Sequence, residues 1–74
     1  MRLMPEFELT NSIKVERAKR DMTQAALALQ VGISRKTINS IETGKFVPST
    51  ITAFRIADAF GVRIEDLFKL KEKQ

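Results

Sequence analysis

The sequence predicts an all-α domain of five short helices, and two observations carry this prediction. Apolar residues recur at helical spacing in five segments between residues 12 and 68. Gly32, Gly44 and Gly61 follow the second, third and fourth of these segments, and glycine favours the end of a helix. No strand pattern of useful length follows residue 9. A chain of 74 residues has room for a single hydrophobic core.

The N-terminal part of the chain differs in pattern from the rest. Residues 1–9 contain Pro5 and then alternate charged and apolar residues, which predicts an extended arm or a short strand. Thr10 or Asn11 can cap the first helix. We therefore divide the chain into an N-terminal arm, a helical domain and a charged C-terminal tail, at residues 1–10, 11–68 and 69–74.

The second and third helices are separated by a single glycine. Thr23 can cap the second helix and Ser34 the third. Gly32 ends the second helix because glycine adopts the left-handed conformation without a steric penalty. Two helices of about two turns each, joined by so tight a turn, must cross steeply and bury their inner faces against one another. The apolar residues expected between them are Leu27, Ala28, Val31, Ile38 and Ile41.

The last two helices follow a turn that contains Pro48 and Ser49. The fourth helix covers residues 50–60, and a short fifth helix covers residues 64–68. Their expected core positions are Phe54, Ala57, Phe60 and Val62.

Composition and charge narrow the range of possible functions. The net charge is +4, and residues 13–45 account for all of it, which favours a polyanionic partner; the alternative is an ordinary solvated basic face. The chain has no Cys and no His, so the usual zinc ligands and the usual general base are missing. The apolar runs are too short for a membrane span or a signal peptide. We expect a cytoplasmic protein that is not an enzyme, without metal, cofactor, membrane contact or evident small-molecule ligand.

The third helix is expected to present a polar face outward. A rotation of 100° per residue puts Ile38 and Ile41 on one side of it. The opposite side is basic and carries amide groups, and it is short enough to enter a DNA major groove about 12 Å wide. The residues on that side are Arg35, Lys36, Asn39 and Ser40.

Residues 24–42 resemble the helix-turn-helix of the Cro and lambda-repressor-like family, which includes the xenobiotic-response-element regulators. Ala28, Gly32 and Ile38 stand at the family's small, turn and branched apolar positions. The longer pattern also matches, with Thr23-Gln24, "GISRKTI", "IETGK", "PS" and "AFGVRIEDLF" in order between residues 12 and 68. The resemblance implies a five-helix lambda-repressor-like domain and a transcriptional regulator, a repressor, that binds double-stranded DNA sequence-specifically.

The resemblance also implies roles for single residues. Gln24 corresponds to a glutamine that bonds a DNA phosphate, and Arg35 and Lys36 are the best candidates for base edges. Ser34 and Thr37 are weaker candidates, because Ser34 can serve as a cap and Thr37 can face the core. The other expected contacts are Asn39 and Ser40 on the helix and Thr43 and Lys45 in the loop after it.

Two further expectations concern an ion pair and the oligomeric state. The resemblance implies that Arg17 and Glu42 form a largely buried ion pair; the alternative is two ordinary surface charges. A homodimer is expected, because one short helix reads too few base pairs to select a genomic site. The interface candidates are Phe68 and Leu70, with Phe7 and Leu9 alongside, whereas Ile64 and Leu67 can simply close the core of the monomer. An antitoxin or protein-binding adaptor built on the same domain is the alternative function.

Overall fold

The computed structural model describes residues 6–73, which form five α-helices and one small antiparallel sheet. The five predicted helices are confirmed, but the all-α class is wrong in part because two strands are present. Residues 1–5 of the predicted arm and residue 74 of the predicted tail lie outside the described residues. In chain order the elements are β1 (Phe7–Asn11), α1 (Ile13–Lys19), α2 (Gln24–Val31), α3 (Arg35–Glu42), α4 (Thr50–Phe60), α5 (Ile64–Leu67) and β2 (Phe68–Glu72).

The two strands join the ends of the chain. β1 and β2 run antiparallel, and Leu9 lies opposite Leu70 in their register. A strand after residue 67 was not expected, because the short tail is dominated by charged residues and shows no apolar alternation. The backbone N–H and C=O groups of β2 form hydrogen bonds with a segment about sixty residues earlier in the chain, and no local sequence pattern reveals this pairing. We call this two-stranded element the terminal ribbon.

Side-chain caps fix where the helices begin. The hydroxyl oxygens of Thr23, Ser34 and Ser49 each accept the backbone N–H three residues onward, at 3.0, 3.0 and 3.2 Å. These bonds satisfy N–H groups that the first turn of a helix leaves without partners. Before α1, Asn11 Oδ1 accepts the N–H of Ile13 at 3.1 Å, although the residue at the cap position itself makes no such bond.

The turn between α2 and α3 depends on Gly32. Its φ angle is +84°, in the left-handed region, and its N–H donates to the Ala28 carbonyl at 2.8 Å. The chain reverses there in a few residues and starts α3 at the Ser34 cap. The short turn brings α3 into direct contact with α2.

The core lies where all five helices and the first residue of β2 meet. On α4 the buried positions recur at spacings of three and four, and Phe54 falls outside them: it is 55% exposed, so its predicted core position is wrong. Phe68 is only 8% exposed, so its ring is part of the monomer core rather than a free surface. The buried residues are Ile13, Leu27, Ala28, Val31, Ile38, Ile41, Ala53, Ile56, Ala57, Phe60, Leu67 and Phe68.

Half-buried side chains complete this core. Val62 and Ile64 pack against it, as does Leu9 from β1. Leu67 is 1% exposed, so its role is to close the core of the monomer. No helix within residues 6–73 has both the length and the apolar character that a membrane crossing requires.

Candidate nucleic-acid interface

α3 is held by one apolar side and leaves a polar side open. Ile38 and Ile41 are 0% and 2% exposed, and α3 packs mainly on α2. Arg35, Lys36 and Asn39 are exposed on the remaining surface. The helix therefore carries two cations and an amide outward on a rigid support.

The smaller polar residues of α3 have structural partners as well. Ser34 Oγ accepts the N–H of Thr37 at 3.0 Å and lies 2.8 Å from Thr37 Oγ1, so Ser34 caps the helix as the alternative interpretation held. Thr37 and Ser40 are half-buried at the edge of the open face. Thr37 is therefore not a core residue.

Gln24 links the start of α2 to the open face of α3. Its Nε2 donates to Asn39 Oδ1 at 3.1 Å and to Glu42 Oε1 at 3.4 Å. Its Oε1 accepts from Arg35 Nη1 at 3.3 Å. One side chain thereby contacts three residues of α3, which orients their polar groups before any ligand arrives.

The structure brings Arg17 and Glu42 together in a bidentate ion pair. Arg17 Nε and Nη2 donate to Glu42 Oε2 and Oε1 at 2.9 and 2.7 Å. The side chains are only 16% and 8% exposed, and Arg17 Nη1 also donates to the Met22 carbonyl at 2.9 Å. The Arg17 guanidinium, by hydrogen bonding, holds the pKa of the Glu42 carboxyl below its ordinary value, and Glu42 raises the pKa of Arg17 in turn. The pair ties α1 to the end of α3.

The loop after α3 folds back onto that helix. The backbone N–H groups of Lys45 and Phe46 both donate to the Ser40 carbonyl, at 2.9 and 3.1 Å, and Thr43 Oγ1 donates to the Asn39 carbonyl at 2.8 Å. Lys45 and Phe46 are therefore held beside the open face of α3. A cleft of about 340 Å³ lies between loop and helix, lined by Lys36, Thr37, Ser40, Lys45 and Phe46. We call it the α3 cleft.

Phe46 is not among the residues predicted from the sequence to contact DNA. Its ring is 52% exposed although it borders the basic surface. A signal was present in the sequence, since an aromatic residue next to a lysine in a loop fits no helical face. Exposed aromatic side chains beside cations are common where proteins contact nucleic acid.

The charge of this surface is uncompensated. Within residues 6–73, none of Arg35, Lys36 and Lys45 forms a salt bridge, whereas nearby basic residues pair with Glu16 or Glu42. The paired residues are Arg17, Lys19 and Arg20. Cations without protein partners attract an anionic ligand and gain most from releasing its counterions.

Comparisons with known proteins identify the family of this chain. Residues 13–67 match the helix-turn-helix family. The chain belongs to this family. An uncharacterized HTH-type transcriptional regulator of Methanocaldococcus jannaschii is 50% identical over 60 residues, which cover 81% of this chain and 91% of the relative. The helix-turn-helix protein described here is thus a DNA-binding regulator of transcription.

Solved structures share the same architecture. The crystal structure of a protein from Bacteroides fragilis superimposes on this structure with a TM-score of 0.74 at 31% sequence identity. The match covers 82% of this chain and 98% of the other chain. The transcriptional regulator VanUg superimposes with a TM-score of 0.77 over 99% of this chain and 97% of its own. At 16% identity, the likeness to VanUg shows the fold alone.

Proposed function

We propose that this helix-turn-helix protein represses transcription by binding a specific duplex site as a homodimer, with α3 in the major groove. The observation that carries the proposal is the open face of α3, whose cations form no salt bridge within residues 6–73. An eight-residue helix is about 12 Å long and lies across a groove of similar width. Because the other side of α3 is buried, this face is the part that meets the bases.

Direct reading of bases belongs to the residues that project furthest from α3. Arg35 and Lys36 stand in its first turn and can donate to guanine O6 and N7. Asn39 can bond adenine N6 and N7 through its amide. Gln24 orients this set through its bonds to Arg35 and Asn39. Ser34, Thr37 and Ser40 have short side chains and suit close contacts to base edges or phosphates.

The residues proposed to contact phosphates lie on both sides of the residues proposed to contact bases. Gln24 stands at the N-terminus of α2, where free backbone N–H groups favour an anion. Lys45 and Thr43 stand in the loop after α3 and reach the backbone on the other side. Phe46 belongs to the same loop and lines the α3 cleft, where it can contact the sugar or a thymine methyl group.

A dimer is needed because one copy contacts only a few base pairs, and a dimer bound at a promoter would repress transcription. A single α3 contacts only a few base pairs, whereas two copies related by a twofold axis read half-sites about 34 Å apart. A protein that covers such a site at a promoter excludes polymerase by occupancy alone. This mode requires no second activity of the regulator.

Binding measurements on charge-removal variants test the proposal. The site is first selected from random duplexes with the purified protein. Lys45→Ala should weaken binding to all duplexes about equally and lower the salt slope by about 1, because one phosphate contact is lost. Arg35→Ala should cost roughly 1–3 kcal/mol on the selected site and less on random DNA.

Lys71→Ala is the matched control, since Lys71 is an exposed lysine on the terminal ribbon, away from α3. It should leave both the affinity and the salt slope nearly unchanged. Equal losses on selected and random DNA for Arg35→Ala would make Arg35 a phosphate contact and refute direct reading. If the wild type shows no salt-dependent affinity for any duplex at about 150 mM salt, a protein-binding adaptor becomes the better description.

A further inference from the structure

The outer side of α4 carries a second exposed surface, separate from the α3 cleft. Ile51 and Phe54 lie three residues apart on one helical face and are 73% and 55% exposed, although both are large and apolar. With Thr50, Arg55 and Asp58 they line a cleft of about 340 Å³, which we call the α4 cleft. Large apolar side chains that cluster on a surface mark an interaction site.

Two opposite charges stand at the rim of the α4 cleft. Arg55 and Asp58 are exposed, and within residues 6–73 neither forms a salt bridge. The Arg55 guanidinium lies near the α2–α3 turn instead, with Nη2 3.3 Å from the position that a Cβ at Gly32 would take. The α4 cleft therefore combines an apolar centre with a cation and an anion, and neither charge forms a salt bridge with the described part of its own chain.

We propose that the α4 cleft binds the α4 cleft of a second copy of this chain. The proposal rests on the homodimer of the proposed function and names its contact surface. A twofold interface must complement itself, because residue i meets residue j and residue j meets residue i. Ile51 and Phe54 meet their own equivalents across the axis, and Arg55 of each copy meets Asp58 of the other.

The position of the α4 cleft suits a DNA-bound dimer. Its lining shares no residue with the lining of the α3 cleft, so a copy docked there leaves the open face of α3 free. The terminal ribbon also exposes apolar side chains, with Phe7 at 48% and Leu70 at 70%. On the ribbon, Glu8 lies directly opposite Lys71, so these two opposite charges are neighbours within the monomer. We assign the interface to the α4 cleft because it combines exposed apolar side chains with a cation and an anion that form no salt bridge within residues 6–73.

Sedimentation equilibrium without DNA tests this surface. Ile51→Glu should raise the dimer Kd by at least about 30-fold, because a carboxylate is then placed at the centre of the interface. Leu70→Glu is the matched control, since it introduces the same charge at a side chain of similar exposure on the ribbon. It should leave the dimer Kd within about 3-fold of wild type. Circular dichroism checks that both variants are folded.

Charge reversal tests the twofold geometry itself. Arg55→Asp and Asp58→Arg should each raise the dimer Kd about 10-fold, because like charges then meet across the axis. The double variant restores opposite charges and should return to within about 3-fold of wild type. Two single losses that simply add in the double variant would overturn the pairing of Arg55 with Asp58.

Two other outcomes separate this inference from the proposed function. If Leu70→Glu dissociates the dimer and Ile51→Glu does not, the ribbon is the interface and the inference is wrong. A duplex carrying one half-site of the selected sequence should bind Ile51→Glu as tightly as wild type, and only cooperative binding to two half-sites should be lost. A wild type that binds this half-site but stays monomeric at high micromolar concentration contradicts the α4 interface and leaves base reading by α3 intact.

Discussion

Replacing Arg17 with methionine should destabilise the protein strongly, although Arg17 lies on a short surface helix. Glu42 would keep its carboxylate in a site where the side chain is 8% exposed, and its two bonds from the guanidinium would be lost. Among the described residues, the side-chain hydrogen bond that remains on this carboxylate is the long one from Gln24 Nε2, at 3.4 Å. Removing one partner of a buried ion pair costs about 3–5 kcal/mol of unfolding free energy, because the other charge stays buried and uncompensated.

The expected loss is large on the scale of a small domain. A loss of 1 kcal/mol lowers the Tm of a domain this size by roughly 4–8 °C, so Arg17→Met should lower it by at least about 12 °C. Differential scanning calorimetry at pH 7 measures the change. Arg63→Met is the control, since Arg63 pairs with Glu65 at 2.6 Å but the side chains are 74% and 60% exposed. It should cost less than about 1 kcal/mol.

A double variant separates the buried charge from the lost packing. Arg17→Met combined with Glu42→Leu removes both charges and should recover most of the lost stability, because an apolar pair of similar volume needs no partner. If Arg17→Met melts within a degree or two of Arg63→Met, the pair behaves like a surface contact and the reasoning is refuted.

Three further outcomes are expected. Arg17 lowers the pKa of Glu42 below its ordinary value of 4.5, so the stabilisation by the pair is full above that pH and is lost as the pH falls through the pKa of the folded state. The unfolding free energies of wild type and Arg17→Met, measured by urea melts, should therefore converge below about pH 4.5. Gly32→Ala should cost roughly 1–2 kcal/mol by calorimetry for its left-handed φ of +84°. Gly44→Ala at φ +78° should cost the same; a far larger loss at Gly32 would mean that the Arg55 guanidinium, 3.3 Å from the new Cβ, cannot move aside. Phe46→Ala should leave the Tm within about 4 °C of wild type and weaken binding to the selected site by roughly 1 kcal/mol in fluorescence anisotropy; unchanged affinity would remove Phe46 from the interface.

The helices and the open face of α3 could be predicted because their signals are local. Thr23, Ser34 and Ser49 bond within their own first turns, and Gly32 sets a turn through its own φ angle. The spacing of Ile38 and Ile41 then decides which side of α3 is buried. None of these features depends on the rest of the chain, so the sequence displays them directly.

The terminal ribbon and two phenylalanines could not be predicted in this way. β2 is a strand because β1 supplies its hydrogen-bond partners, and nothing in the tail reports that neighbour. Phe54 and Phe68 are both large and apolar, yet one is 55% exposed and the other 8%. Composition assigns them the same preference, and only the space left by neighbouring helices distinguishes them.

The sequence by itself determined where α2, α3 and α4 begin, which side of α3 is apolar, and that residues 13–45 carry the net positive charge. The tertiary structure decided which charges are neutralised and which are free. Arg17 and Arg35 are chemically alike, but Arg17 meets Glu42 at 2.7 Å across 25 residues of sequence while Arg35 faces outward. Pairing depends on distances of a few ångströms between separate helices, and those distances exist only after the core has packed.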